Sequence, residues 1–171
     1  KLNFATPGNG TAPHLSVKLL EFASGTDFES IHYKGNAPAT TDLLSGQVHL
    51  LFDGLMVPAP HIKSGKLKAL AVASLKRFPS LPDVPAIAQY YPGFDAATWY
   101  CVVAPTGTPR EIVTRLNAEI QKYTGDPAIR ERLIAQGAIV EGGTPEQLAA
   151  YLKSETERWG QVIRRANLKL D

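Results

Sequence analysis

Four histidines and a single cysteine are the most reactive side chains in this sequence, and their spacing offers little catalysis. His14, His32, His49 and His61 lie far apart, with no cysteine or carboxylate at ligand spacing, so no metal site and no cofactor are expected. Ser16 or Ser45 beside a histidine would be a nucleophile with its base, yet no Gly-x-Ser-x-Gly elbow occurs and an enzyme is not expected. Cys101 falls within Thr98-Trp-Tyr-Cys-Val-Val, an apolar strand-like run, and reads as a buried, inert thiol.

Binding is better supplied. From Asn3 to Leu19 a short apolar strand runs into a turn with Gly8 and Gly10 and then into an amphipathic helix. Asn9 and Thr11 suit a turn and a helix cap, so several N–H groups can face one small space. The first N–H groups of a helix have no internal partner and carry partial positive charge, which favours an anion. The same pattern also serves as an ordinary α/β connection. A nucleotide loop does not fit, because the third glycine and a Gly-Lys-Ser/Thr are missing.

Lys34-Gly-Asn36 repeats the strand-to-helix turn, and Asp53 ends a third strand. In a parallel sheet all three would share the carboxyl edge, where α/β ligands sit. Asp53 is either a turn or cap carboxylate or an acceptor for an amino or hydroxyl group of a ligand. Tyr33 is either core with its hydroxyl at the rim or a ligand contact, and Lys34 either a ligand contact or a solvated turn lysine.

The elements that would position these residues alternate strand and helix up to Asp53: a helix from about Ala12 to Ser24 with Leu15, Leu19, Phe22 and Ala23 on one side, a strand Phe28 to Tyr33, a helix Ala37 to Ser45, and a strand Val48 to Asp53. That succession predicts parallel pairing. A broken helical segment follows Gly54, then a buried strand Leu67 to Ser74, a Pro-rich connection to Pro85, a short helical turn to Tyr90 and a long strand Phe94 to Ala104. Thr108-Pro-Arg-Glu111 and Thr144-Pro-Glu-Gln147 are capping boxes. The first opens a helix striped by Ile112, Val113, Leu116, Ile120 and Tyr123, and the second a final helix striped by Leu148, Leu152, Trp159 and Ile163. Between them, Asp126-Pro127 starts a helix to about Gln136, and Ala138 to Val140 reads as a short strand. A lobe boundary is expected near residues 97 to 105.

The 171 residues can bury a real core, and 44% hydrophobic with 20% charged residues is ordinary for a globular protein. A net charge of +2 without a basic block speaks against a nucleic-acid partner. One cysteine permits no internal disulfide, and no apolar run approaches the ~20 residues of a membrane span. The chain enters a strand immediately after Lys1-Leu2, and an upstream portion is expected to precede it.

Several motifs in order resemble one family. Phe4 to Leu15, Tyr33 to Ala39, Thr41 to Asp53, His61 to Val72, Leu81 to Pro85, Ala104 to Pro109, Arg115 to Glu119 and Gly143 to Glu146 are together similar to the Bug family, periplasmic solute-binding proteins of tripartite tricarboxylate transporters. The resemblance implies a type II periplasmic-binding-protein fold, an α/β Venus flytrap whose two lobes close on a small carboxylated solute, and it implies membrane transporter subunits as partners. Residues 1–98 would then be the second, ligand-binding lobe. Residues 99–171 would be a crossover strand and the C-terminal helical part of a first lobe whose N-terminal half is not in this chain. Without that cover, dimerisation of the chain is an expectation. The resemblance carries Gly8, Asn9, Gly10, Thr11 and His14 to the first ligand turn, Tyr33, Lys34 and Gly35 to the second, and Asp53 to the same site. The other reading is the effector-sensing domain of a transcription regulator, which can share the two-lobed fold.

Overall fold

The computed structural model describes residues 2–169. Three short parallel strands, β1 (Asn3–Thr6), β2 (Glu29–His32) and β3 (Leu50–Leu51), form a sheet in the order β2-β1-β3. The crossovers are α1 (Ala12–Ser24) and α2 (Asn36–Ser45), each closed by a left-handed glycine, Gly25 and Gly46. The register sets Asn3 against Glu29 and Thr6 against His32 on one side, and Phe4 against Leu50 on the other.

Alternation along β1 sends its side chains to two faces. Ala5 packs with Ala39 and Val48, bordered by Ile31, Tyr33, Leu43 and Leu51, so α2 covers that face. Phe4 stacks with Phe52 and meets Phe28 edge to face, while Thr6 reaches His32 on the face covered by α1. Val17 of α1 is fully buried, worth roughly 1.5–3 kcal/mol relative to exposure. Ile87, Phe94 and Ala96 form a second cluster with Leu19, Leu20, Phe52 and Trp159.

The chain divides into two compact units, one running to Thr98 and resuming at Trp159, the other Trp99–Arg158. The second unit contains α4 (Arg110–Gly125), α5 (Pro127–Ala135) and the first part of α6 (Pro145–Arg165). From Trp159 onward the chain groups with the first unit. In the first unit, α3 (Ala59–Lys63) and a 3-10 turn (Ile87–Gln89) are the remaining regular pieces.

Several strand expectations are corrected. Val48 to Asp53 contributes only Leu50–Leu51. Leu67 to Ser74 makes one isolated parallel bridge, Val72 with Ala86, because its neighbour carries Pro82 and Pro85, which cannot donate to a ladder. In Phe94 to Ala104 only the start is buried, and Tyr100, Val102 and Val103 are exposed with no strand partner among the described residues. Cys101 is therefore exposed and not core. Ala138 to Val140 is not a strand either.

Local apolar pattern marks a segment that can pair, but pairing needs a neighbour. The same holds for α4, whose Ile112, Leu116, Ile120 and Tyr123 are exposed, and Ala23 of α1 is exposed as well. At the helix starts, Thr144 and Gln147 do exchange the two capping-box bonds, at 2.8 and 3.2 Å. Thr108 instead donates to Pro105 O at 2.8 Å, and Pro109 stands at the cap of α4. Asp126 caps α5 through Ala128 N–H and Ile129 N–H.

Candidate functional site at the carboxyl edge of the sheet

The turn after β1 is built to change direction within a few residues. Gly10 has φ 70°, a left-handed angle that a side chain disfavours. The Thr11 hydroxyl donates to Gly8 O at 2.7 Å, so it braces the turn and does not cap α1. Gly10 N–H is also taken, by His14 Nδ1 at 3.0 Å. Pro in the first turn of α1 has no N–H, which leaves the amides of Ala12 and His14 as first-turn donors with no side-chain cap. Asn9 points elsewhere, donating from Nδ2 to Lys169 O at 3.0 Å.

The second turn is stitched to the first by backbone. Tyr33 N–H donates to Thr6 O at 2.8 Å and Gly35 N–H to Pro7 O at 3.0 Å, so pairing continues past the strand ends and brings the two turns side by side. Gly35, at φ 108°, is the N-cap of α2, and no side chain caps that helix. Neither α1 nor α2 has an acidic residue in its first turn. Two helix N-termini without a side-chain cap or a first-turn acid therefore lie at one sheet edge.

The remaining candidates divide. The Tyr33 hydroxyl donates to Asp42 Oδ2 at 2.7 Å on α2, a bond that raises its pKa and holds the ring against the Ala5 cluster. Lys34 is exposed. Asp53 joins the edge through Oδ1, which accepts from Asn36 Nδ2 at 2.9 Å and Gly54 N–H at 2.7 Å. Its Oδ2 is buried without a partner, and burial raises the carboxyl pKa against the opposing pull of the Gly54 N–H.

Sequence reasoning did not assign Thr6, His32 or Asn36 to the site. Thr6 Oγ1 and His32 Nδ1 are 2.7 Å apart, as their register pairing demands. The His14 and His32 rings meet edge to face with centroids 4.5 Å apart. Histidines far apart in sequence become neighbours because a β-α-β unit returns the end of one strand beside the next, a signal already present in the strand pattern. Burial, together with His32 and Lys18, lowers the pKa of His14 to about 4, and burial with Lys18 lowers that of His32. No group of three or more His, Cys, Asp or Glu among the described residues could hold a metal ion. The edge can therefore receive a small anion through backbone N–H groups.

Comparison with known proteins gives a consistent result. The family profile described as "Tripartite tricarboxylate transporter family receptor" matches residues 1–168. A protein of Pseudomonas sp. strain P51, from the tcbD-tcbE intergenic region, is 44% identical over 95% of this chain and 49% of its own length. Among solved structures, an R. palustris protein with adipate has a TM-score of 0.90 at 36% identity, covering 98% of this chain and 56% of that one. MatC from Rhodopseudomonas palustris with bound malate has a TM-score of 0.74 at 34% identity, covering 95% of this chain and 56% of that one. The chain thus spans about half the length of these relatives.

Proposed function

We propose a function on the following ground: the chain belongs to the tripartite tricarboxylate transporter family of receptors. It contributes one wall of a periplasmic site for a small dicarboxylated solute, binds that solute without chemical conversion, and takes part in handing it to membrane subunits of the transporter. Residues 1–98 act as the ligand-binding lobe, joined by the chain from Trp159 onward, and Trp99–Arg158 as the portion that belongs to the other lobe.

One observation carries the reading. Two uncapped helix N-termini without first-turn acids are stitched together by Gly35 N–H and Pro7 O, 3.0 Å apart, at the carboxyl edge of a parallel sheet. The adipate and malate held by two structural neighbours support a dicarboxylate as the solute class. No helix among the described residues is long and apolar enough to cross a membrane. Closing on the solute would shift a population of open and closed forms, which is what a transporter can read.

The test is a thermal-shift series of the protein against adipate, malate and the uncharged 1,6-hexanediol. Stabilisation by the acids and none by the diol is the expected result. Equal response to the diol, or none to any acid at 10 mM, would remove the carboxylate assignment.

A further inference from the structure

The first turn of α1 contains an arrangement that the resemblance did not anticipate. His14 occupies the third helical position and reaches back to accept the N–H of Gly10 at 3.0 Å. That is the reciprocal half of a capping box, a role usually filled by Glu or Gln, shifted one residue upstream of the cap. The residue is 2% exposed and held on its other side by the His32 ring, whose centroid lies 4.5 Å away. An imidazole that accepts at Nδ1 carries its hydrogen at Nε2 and is neutral.

We infer that the His14 side chain positions the turn and does not touch the solute: the imidazole is the charge-free brace that fixes the first turn by holding Gly10 N–H, so that the turn presents its backbone donors to a carboxylate. This rests on the carboxylate-binding reading above. The chemistry explains the choice of residue. A Glu at this position would accept the same N–H but set a negative charge beside the first-turn amides of α1, where the solute's own negative charge is to be received. A neutral imidazole makes the bond and leaves the positive end of the helix intact.

The surroundings keep it neutral. The titratable groups facing His14 are His32 on β2 and Lys18 and Glu21 on α1. Burial and the two basic neighbours oppose protonation, while Glu21 favours it less strongly and is itself engaged by Lys18 at 2.9 Å. Gly10 is accordingly withdrawn from the set of solute donors, and Ala12 and His14 N–H take its place.

Three variants of the whole chain separate the parts of this inference, read by amide exchange of Gly10 without solute and by amide shifts on adding adipate at pH 7.5. Gly10 N–H should exchange slowly in the wild type and in His14→Gln, and at least ten-fold faster in His14→Leu. Adipate-induced shifts should survive in His14→Gln and fall at least ten-fold in apparent affinity in His14→Glu, although Glu restores Gly10 protection. A merely structural residue would not distinguish Gln from Glu in this way. If Gly10 exchanges equally fast in the wild type and His14→Leu, the brace is overturned without reference to any solute. If His14→Glu binds adipate as the wild type does, the requirement for neutrality is overturned. Should His14→Glu fail to fold, the protection of Gly10 relative to a free amide at the same pH decides: on acidification through about pH 4 it should fall in the wild type and not in His14→Gln, and equal protection in both would overturn the brace. A protected Gly10 with no adipate shifts even in the wild type would overturn the carboxylate reading and leave the brace standing.

Discussion

Acidification should destabilise this protein through His14. In the unfolded chain the imidazole takes its proton near pH 6.5, whereas in the fold it does so only near about 4. Between those values the unfolded state binds more protons, so stability falls as the pH drops, and the neutral-imidazole contribution is fully present only above pH 6.5. A difference of about 2.5 pH units at ~1.4 kcal/mol each sets a ceiling of about 3.4 kcal/mol, of which about 2 kcal/mol is lost by pH 5. Little solvent screening reduces this, because the ring is 2% exposed. Urea denaturation at pH 7 and pH 5, followed at amides of β1 and α1, measures the loss. His14→Gln is the control, since it keeps an acceptor for Gly10 N–H but cannot titrate. His32, also lowered, acts in the same direction, and Asp53, raised, in the opposite one. Comparing the variant with the wild type cancels both. Parallel pH dependence of the two proteins, within about 0.5 kcal/mol, would refute the reasoning.

Three further perturbations test other parts of the structure. Asp53→Asn should leave stability at pH 7 unchanged or slightly higher, because it keeps an acceptor for Asn36 and Gly54 while removing a half-buried charge, whereas Asp53→Ala should cost about 1 kcal/mol by stranding those donors; chemical denaturation compares them. Gly35→Ala should cost roughly 1–3 kcal/mol, since φ 108° strains any side chain, and should loosen the stitch to Pro7, seen as faster exchange of the residue 35 amide. Glu155, 8% exposed, accepts from Trp99 Nε1 at 3.1 Å and from Arg158 at 2.7 and 2.8 Å. Glu155→Ala in a Trp159→Phe background should red-shift the Trp99 emission and cost about 1–3 kcal/mol, a range kept low because Arg158 is itself partly exposed.

The sequence made the helix boundaries readable because they are short-range. Thr11 through Gly25, Asn36 through Gly46 and Asp126 through Ala135 carry caps, prolines and glycines whose effects do not depend on distant partners, and these helices lie where the pattern set them. The two glycine turns fall at one sheet edge because strand-helix alternation dictates parallel order. Tertiary context could not be read in the same way. Tyr100 to Val103 has the composition of a core strand and is exposed, since burial depends on a neighbour that composition does not announce. At the site, Gly10 and His14 were identifiable as residues, but not that one holds the other. Nor could the pairing of Thr6 with His32 be read before β1 and β2 were in register.

A titration of the uniformly 15N-labelled protein with adipate at pH 7.5, read amide by amide, bears most directly on the carboxyl-edge site. Saturable shifts should concentrate at Gly8 to His14 and at Lys34 to Ala37, with the largest at the first-turn amides of α1 and α2. Shifts of equal size scattered over the second unit, or confined to side chains away from both turns, would contradict it.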